Sequence, residues 1–222
     1  MTKQTSGIRQ RSVRVERKRE QARQEILEVA QTILLQDGVD AVTLASVAGV
    51  LGMTKQALYH YFPSKEALGR SLVAALVDNE IEALIVAIED VDSGRKTLGT
   101  LIRAFYNHYI GRLDAFRFVY CQSQLYSGNA AELDQDTIQK EINPRTRHLF
   151  DVLESRIADS TASKSQRIRM RKLAFTAWVS ALGLVTMLGV ADAVNDPLVH
   201  SDEDLLDTMS SVFDGAAVEW VN

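Results

Sequence analysis

An all-α fold is predicted, on three observations. Apolar residues recur at helical spacing through most of the chain. Only three prolines and few β-branched alternations occur, which argues against a sheet protein. Short Gly-, Ser- or Asp-containing breaks, such as Asp37-Gly38, Pro63-Ser64, Asp92-Ser93-Gly94 and Ser127-Gly128-Asn129, punctuate these periodic segments. The expected architecture is an N-terminal three-helix unit followed by a C-terminal helical bundle, nine or ten helices in all.

Composition narrows the class. The chain has 222 residues, enough for one large or two smaller domains. Hydrophobic content of 46% with 24% charged residues is that of a globular protein with a substantial core. The single cysteine, Cys121, excludes an internal disulfide framework and suits a reducing compartment. The first twenty-five residues are dominated by Arg, Gln, Glu and Ser and hold no apolar core of signal-peptide type, so a cytoplasmic protein is expected. Net charge is −4, but it is unevenly spread. Residues 1–65 hold ten Lys/Arg against six Asp/Glu, a balance of +4, and the remainder carries −8. A basic end on an acidic body aims one part of the molecule at a polyanion.

Residues 1–22 are read as a basic, flexible arm. Residues 1–15 show no usable apolar period, and Arg9, Arg11, Arg14, Arg17, Lys18 and Arg19, continued by Arg23, can follow a phosphate backbone or enter a minor groove. The plainer alternative is a solvated leader and a charged first helical turn. A helix is expected from about Glu16 or Arg19 to Gln36, with Ile26, Val29, Ala30, Ile33 and Leu34 on one face, stopped by Asp37-Gly38.

Thr43 to Phe62 reads TLASVAGVLGMTKQALYHYF. Thr43 is a good N-cap, because its hydroxyl can accept from an otherwise unpaired amide one turn on. Leu44, Val47, Ala48 and Leu51 come next at i, i+3, i+4 and i+7, and Gly52 ends the short helix. Thr54 caps a second helix whose inward face is Ala57, Leu58, Tyr61 and Phe62 and whose other face carries Lys55, Gln56, Tyr59 and His60. Spacing alone suits a helix-turn-helix and an ordinary helical hairpin equally. Ser64 then caps a long helix, Lys65 to about Asp90, which would connect the N-terminal unit rigidly to the C-terminal bundle.

Leu98 to Tyr126 is helical in pattern and aromatic-rich, with a break expected near Leu113-Asp114. Thr137 to Asp159 makes another helix, with Pro144 marking a kink or a later start. Leu173–Ala191 has no charged residue over a length that could span a membrane. Thr176, Ser180, Gly183, Thr186 and Gly189 dilute it, and a helix apolar all round is also a buried or interface helix, the favoured reading. Ser201 with Asp202, Glu203 and Asp204 begins a last helix with Leu205, Met209, Val212, Phe213, Ala216 and Trp220 on one stripe.

By its residues, the chain resembles the tetracycline-repressor (TetR/AcrR) regulators. The likeness runs from about Arg23 to Asn79 and is densest in GMTKQALYHYFPSKEAL, Gly52 to Leu68, where that family reads G-V-S-x-x-x-L-Y-x-[HY]-F-x-[SN]-K-x-x-L. Met53 stands for the usual Val, Thr54 for Ser, and Gln56 for an often small residue. The resemblance implies a DNA-binding domain over 23–83 and an effector-binding and dimerisation domain over 84–222, matched only in general plan. It implies a transcriptional regulator, most simply a repressor, without catalysis or cofactor.

Chemistry and the resemblance together assign roles. Thr43 and Thr54 can present donors to phosphates. Lys65, Tyr59 and His60 stand at positions that commonly meet the DNA backbone in the family, with Tyr61 core and its hydroxyl able to reach a phosphate. Lys55 and Gln56 suit base edges, since Gln can bond adenine bidentately and Lys can bond guanine acceptors. The family also implies a homodimer through helices at 168–191 and 201–221, a palindromic double-stranded operator, no membrane, and a small-molecule effector of unknown identity. Phe105, Tyr109, Phe116, Tyr120, Gln124 and Trp178 can line its pocket, or can be simple core. His108 and Arg112, one turn apart, can bind an anionic ligand or sit on a solvated face.

The four histidines are widely separated and Cys121 has no neighbouring Cys or His, so no metal is expected. No Walker loop, dinucleotide fingerprint or nucleophile elbow is present. Two other classes stay open at this point: a dimeric DNA-binding protein that recruits partners without an inducer, and a helical enzyme or carrier with a coincidental hairpin.

Overall fold

The computed structural model describes residues 4–91, 94–121, 135–158, 161–194 and 200–221. Every regular element among them is helical. In order these are α1 (Gln4–Asp37), α2 (Leu44–Val50), α3 (Lys55–Tyr59), α4 (Lys65–Glu89), α5 (Thr97–Tyr109), α6 (Leu113–Phe116), α7 (Asn143–Ile157), α8 (Lys164–Val194) and α9 (Asp202–Val221). A π-helical stretch, Arg117–Cys121, continues α6, and a helical turn Gln135–Thr137 with a second π-helical stretch, Ile138–Ile142, leads into α7. The chain divides into two compact units, and the division falls inside α4. The first holds the described residues of Met1–Ala75 and Asp114–Leu133, the second those of Leu76–Leu113 and Asp134–Asn222.

α1 begins at Gln4, well before the start expected near Glu16 or Arg19, so from that residue on the expected flexible arm is part of a helix. Arg, Gln, Glu and Lys are good helix formers, residues 4–22 hold no proline, and extending an existing helix avoids the cost of nucleation. The absence of an apolar face there means only that the extension is solvated: Arg14 through Gln21 are exposed. The first unit buries Ile26, Ala30, Ile33 and Leu34 of α1, Leu44, Val47 and Ala48 of α2, Leu58 of α3, Phe62, and Leu68 and Leu72 of α4. α2 packs against both α1 and α3.

In the second unit α5 is the hub, packing on α7, α8 and α9. Leu98, Leu101, Ile102, Phe105 and Tyr109 make its buried stripe. Gly111, at φ 75°, turns the chain after α5, so the break falls two residues before the expected Leu113-Asp114. α7 starts at Asn143 with Pro144 in its first turn, where a missing amide costs nothing: a later start, not a kink. Ser201 caps α9, its Oγ accepting from the Asp204 amide at 3.2 Å. By length and composition, Lys164–Ala193 could cross a membrane, a weak criterion that core helices also meet. One side of α8 is buried (Met170, Ala174, Ala177, Ala181, Val185), whereas Ile168, Phe175, Val179, Met187 and Val190 are exposed.

Candidate nucleic-acid interface

The local geometry of α2 and α3 comes from capping. The Thr43 Oγ1 accepts from the Ser46 amide at 3.0 Å, and Ser46 Oγ accepts from the Thr43 amide at 3.0 Å, a reciprocal box that fixes where α2 starts. Ser46 also donates to the Ala41 carbonyl at 2.7 Å, which ties the box to the incoming turn. At the other end Gly52, at φ 63°, carries a Schellman closure: the Met53 amide donates to the Ala48 carbonyl at 2.9 Å and the Gly52 amide to Gly49 at 3.2 Å. Thr54 then caps α3, accepting from the Ala57 amide at 3.1 Å.

α3 is only five residues long, yet it sorts its side chains cleanly. Leu58 is fully buried and Ala57 is partly covered. Thr54, Lys55, Gln56, Tyr59 and His60 are exposed, and the Lys55 ammonium lies 5.8 Å from the Tyr59 ring centre. Tyr61 is half-buried, and Lys65 is exposed at the start of α4. The eight residues assigned to DNA from the sequence therefore occupy one continuous run of the first unit, with Thr43 and Tyr61 half-covered and the other six outward. Ser64 Oγ accepts from the Ala67 amide at 3.2 Å, and its hydroxyl bonded to Glu66 holds that carboxyl below its ordinary range.

Two arginines play a part that sequence reasoning did not assign. Arg23 Nη1 donates to the Tyr61 carbonyl at 2.7 Å, Nη2 reaches Ser71 Oγ at 3.4 Å, and the guanidinium lies 4.4 Å from the Phe62 ring centre. Arg19 Nη2 donates to the His60 carbonyl at 3.3 Å. Carbonyls past the end of a short helix lack intrahelical partners and carry its negative dipole end, so guanidinium donors suit them. Arg19 and Arg23 thus hold α1 against the end of α3, a role that charge alone did not suggest. Their spacing of four was the available signal.

The residues assigned to an effector pocket are distributed differently. In the second unit, Phe105 and Tyr109 are buried with ring centres 5.1 Å apart, and Trp178 meets Phe105 edge-on at 6.4 Å. Phe175 and Phe150 extend this aromatic chain at 5.7 and 5.8 Å. His108 stacks edge-on to Tyr109 at 4.7 Å, and burial, helped by Arg112, pulls its pKa down to about 4. Phe116 and Tyr120, 5.3 Å apart, belong to the first unit, and Gln124 lies outside the described residues. The polar residue that the sequence reading missed is Glu80, 2% exposed, which accepts from the Tyr109 hydroxyl at 2.5 Å. Its register, four residues from both Leu76 and Leu84 on the apolar face of α4, was the sign. Among the described residues no three His, Cys, Asp or Glu side chains gather as a metal site.

The first unit is a capped helix-turn-helix with a polar, exposed second helix, and comparison with known proteins places it. The family model for bacterial regulatory proteins of the tetR family matches residues 26–72. The helix-turn-helix transcriptional repressor KstR2 of Rhodococcus jostii (strain RHA1) is 26% identical over 161 residues, 71% of this chain and 77% of that protein. The nucleoid occlusion factor SlmA of Cronobacter sakazakii (strain ATCC BAA-894) is 28% identical over 149 residues, 65% of this chain and 68% of its own. A TetR/AcrR-family regulator from Thermobifida fusca YX-ER1 shares the fold, with a TM-score of 0.62 at 18% identity over 87% of this chain and 97% of that one. Residues 26–72 thus match the tetR family of bacterial regulatory proteins, the chain shares the fold of a TetR/AcrR-family regulator, and the comparisons together support a DNA-binding transcriptional regulator of that type.

Proposed function

We propose that the chain is a homodimeric repressor released from a palindromic operator by a small molecule. The observation that carries the DNA side is the exposed run Thr54, Lys55, Gln56, Tyr59 and His60, mounted on a helix whose end is held by Arg19 and Arg23. Lys55 and Gln56 face outward to read base edges, while Thr54, Tyr59, His60 and Lys65 hold the backbone. The Thr54 oxygen accepts from Ala57, which leaves its hydroxyl hydrogen for a phosphate. Thr43 contributes chiefly through its box with Ser46, and Tyr61 through its half-buried ring.

Dimerisation is supported by the exposed apolar row Ile168, Phe175, Val179, Met187 and Val190 on α8, with Val212 on α9. Residues of that row stand at the helical spacings of a face that pairs with another helix. Two reading heads then meet half-sites about 34–36 Å apart. An effector seated among the α5 and α8 aromatics would weaken DNA binding by the same factor by which DNA weakens effector binding. The relative KstR2 is a repressor, in keeping with this reading. A nucleoid occlusion factor among the relatives favours the second reading, a DNA-bound protein that recruits partners without an inducer.

Selecting bound fragments from a genomic library with the purified chain tests the proposal. A two-fold symmetric site with half-sites one helical turn apart is expected, and a site without symmetry would refute the dimer. A panel of small organic molecules, scored both for thermal stabilisation and for release from the selected site, then separates the two readings. If no compound does both, the recruiter stands.

A further inference from the structure

The N-terminal part of α1 lies outside residues 26–72, so the match to the family assigns it nothing. Residues 1–23 hold eight Lys/Arg against two Asp/Glu, a balance of +6. The segment is helical from Gln4 and runs unbroken into the buried part of α1. Arg19 and Arg23, four residues apart, fasten one side of that helix to the His60 and Tyr61 carbonyls, at the end of the recognition helix. Arg14 and Lys18, also four apart, share another side, with Arg17 beside them, and all three are exposed. At 1.5 Å per residue, Gln4 to Arg19 reaches about 22 Å beyond the clamp.

We propose that this basic helical extension is a second DNA-contacting element, seated through Arg14, Arg17 and Lys18 on duplex phosphates beside the sequence that α3 reads. Charge complementarity names the occupant, because a duplex is the polyanion that the adjoining helix already meets. The clamp supplies the geometry: the extension leaves the body where α3 ends, so docking α3 brings it close to the same duplex. A helix continuous with a packed one is already ordered, so it forms these contacts at a smaller entropic cost than a loose arm. The extension carries no base-reading role. It adds affinity that is independent of sequence and falls with salt.

The inference rests on the DNA-binding role of the chain, and its test is the slope of log affinity against log salt for the full chain on its selected operator. The variant Arg14→Gln/Arg17→Gln/Lys18→Gln keeps good helix formers at exposed positions, and its fold is checked by circular dichroism. A control, Lys164→Gln/Arg169→Gln/Lys172→Gln, removes three exposed charges from α8. Each phosphate contact contributes about 0.9 to the slope, so the first variant loses about 2.7 per bound chain. From 50 to 200 mM salt it therefore loses about 40-fold less affinity than the parent, while its preferred sequence is unchanged. The control keeps the parental slope. An unchanged slope in the first variant, or an equal fall in both, overturns the role of the extension. Failure of the parent to bind any duplex would overturn the DNA-binding reading along with it.

Discussion

Arg23→Ala separates a clamp from a phosphate contact. In the structure the Arg23 guanidinium donates to the Tyr61 carbonyl at 2.7 Å and covers the Phe62 ring at 4.4 Å. A hydrogen bond from a charged donor contributes about 1.5–3 kcal/mol, and a cation–π contact about 0.5–1 kcal/mol. Arg23 is only partly buried, so the low end of both ranges applies, about 2 kcal/mol together. For a chain of this length that lowers the melting temperature by about 4–8 °C. Loosening the end of α3 also weakens DNA binding, but by a common factor at every salt concentration, because the slope counts phosphates neutralised. Arg23→Lys recovers part of the loss, since an ammonium cannot fork toward both Tyr61 and Ser71. Thermal melts paired with binding isotherms at several salt concentrations read both quantities. A slope reduced by about 0.9 with an unchanged melting temperature would refute the clamp and return Arg23 to the phosphate backbone.

Three further outcomes are expected. Lys65→Ala lowers affinity for all sequences and flattens the salt slope by about 0.9, whereas Gln56→Ala changes the selected sequence; an unaltered motif for Gln56→Ala would remove it from base reading. Gly99→Ala places a Cβ 2.5 Å from Asp214 Oδ2 and 2.8 Å from Ser210 Cβ, where the Gly99 amide donates to Asp214 Oδ1 at 2.9 Å. Such overpacking destabilises by about 1–3 kcal/mol, read as a lower melting temperature, and a melt like the parent's would show that α9 yields freely. His108, held neutral by burial with its pKa near 4, takes up a proton in the unfolded chain below its ordinary 6.5. Its contribution is therefore complete above pH 6.5 and is lost as pH falls toward 4. Discounted for partial exposure, the loss is about 1–2 kcal/mol, and His108→Asn flattens stability over that window.

Legibility tracked the range of the interaction. Thr43, Thr54 and Ser64 were readable as caps because a cap joins residues three apart, and each is seen in that role. The buried and exposed sides of α2 and α3 were readable because a helical period over ten residues is a local pattern. The break at Gly111 was misplaced by two residues, since a positive φ leaves only a glycine as its trace. The extension of α1 to Gln4 was missed because apolar periodicity reports burial, and a solvated helix has none to report.

The sequence by itself determined the all-α class, the helix-turn-helix with its outward residues, and the charge that points one end at a polyanion. Each is a property of neighbours along the chain, or of composition. Tertiary structure alone decided that Arg19 and Arg23 clamp the end of α3, about forty residues on. It also decided that Glu80 is buried against Tyr109, 29 residues away, and that a Cβ at Gly99 would crowd Asp214, which arrives beside it from 115 residues along. The physical reason is that which donor meets which carbonyl depends on where folded helices cross. No single helix carries that information in its own period.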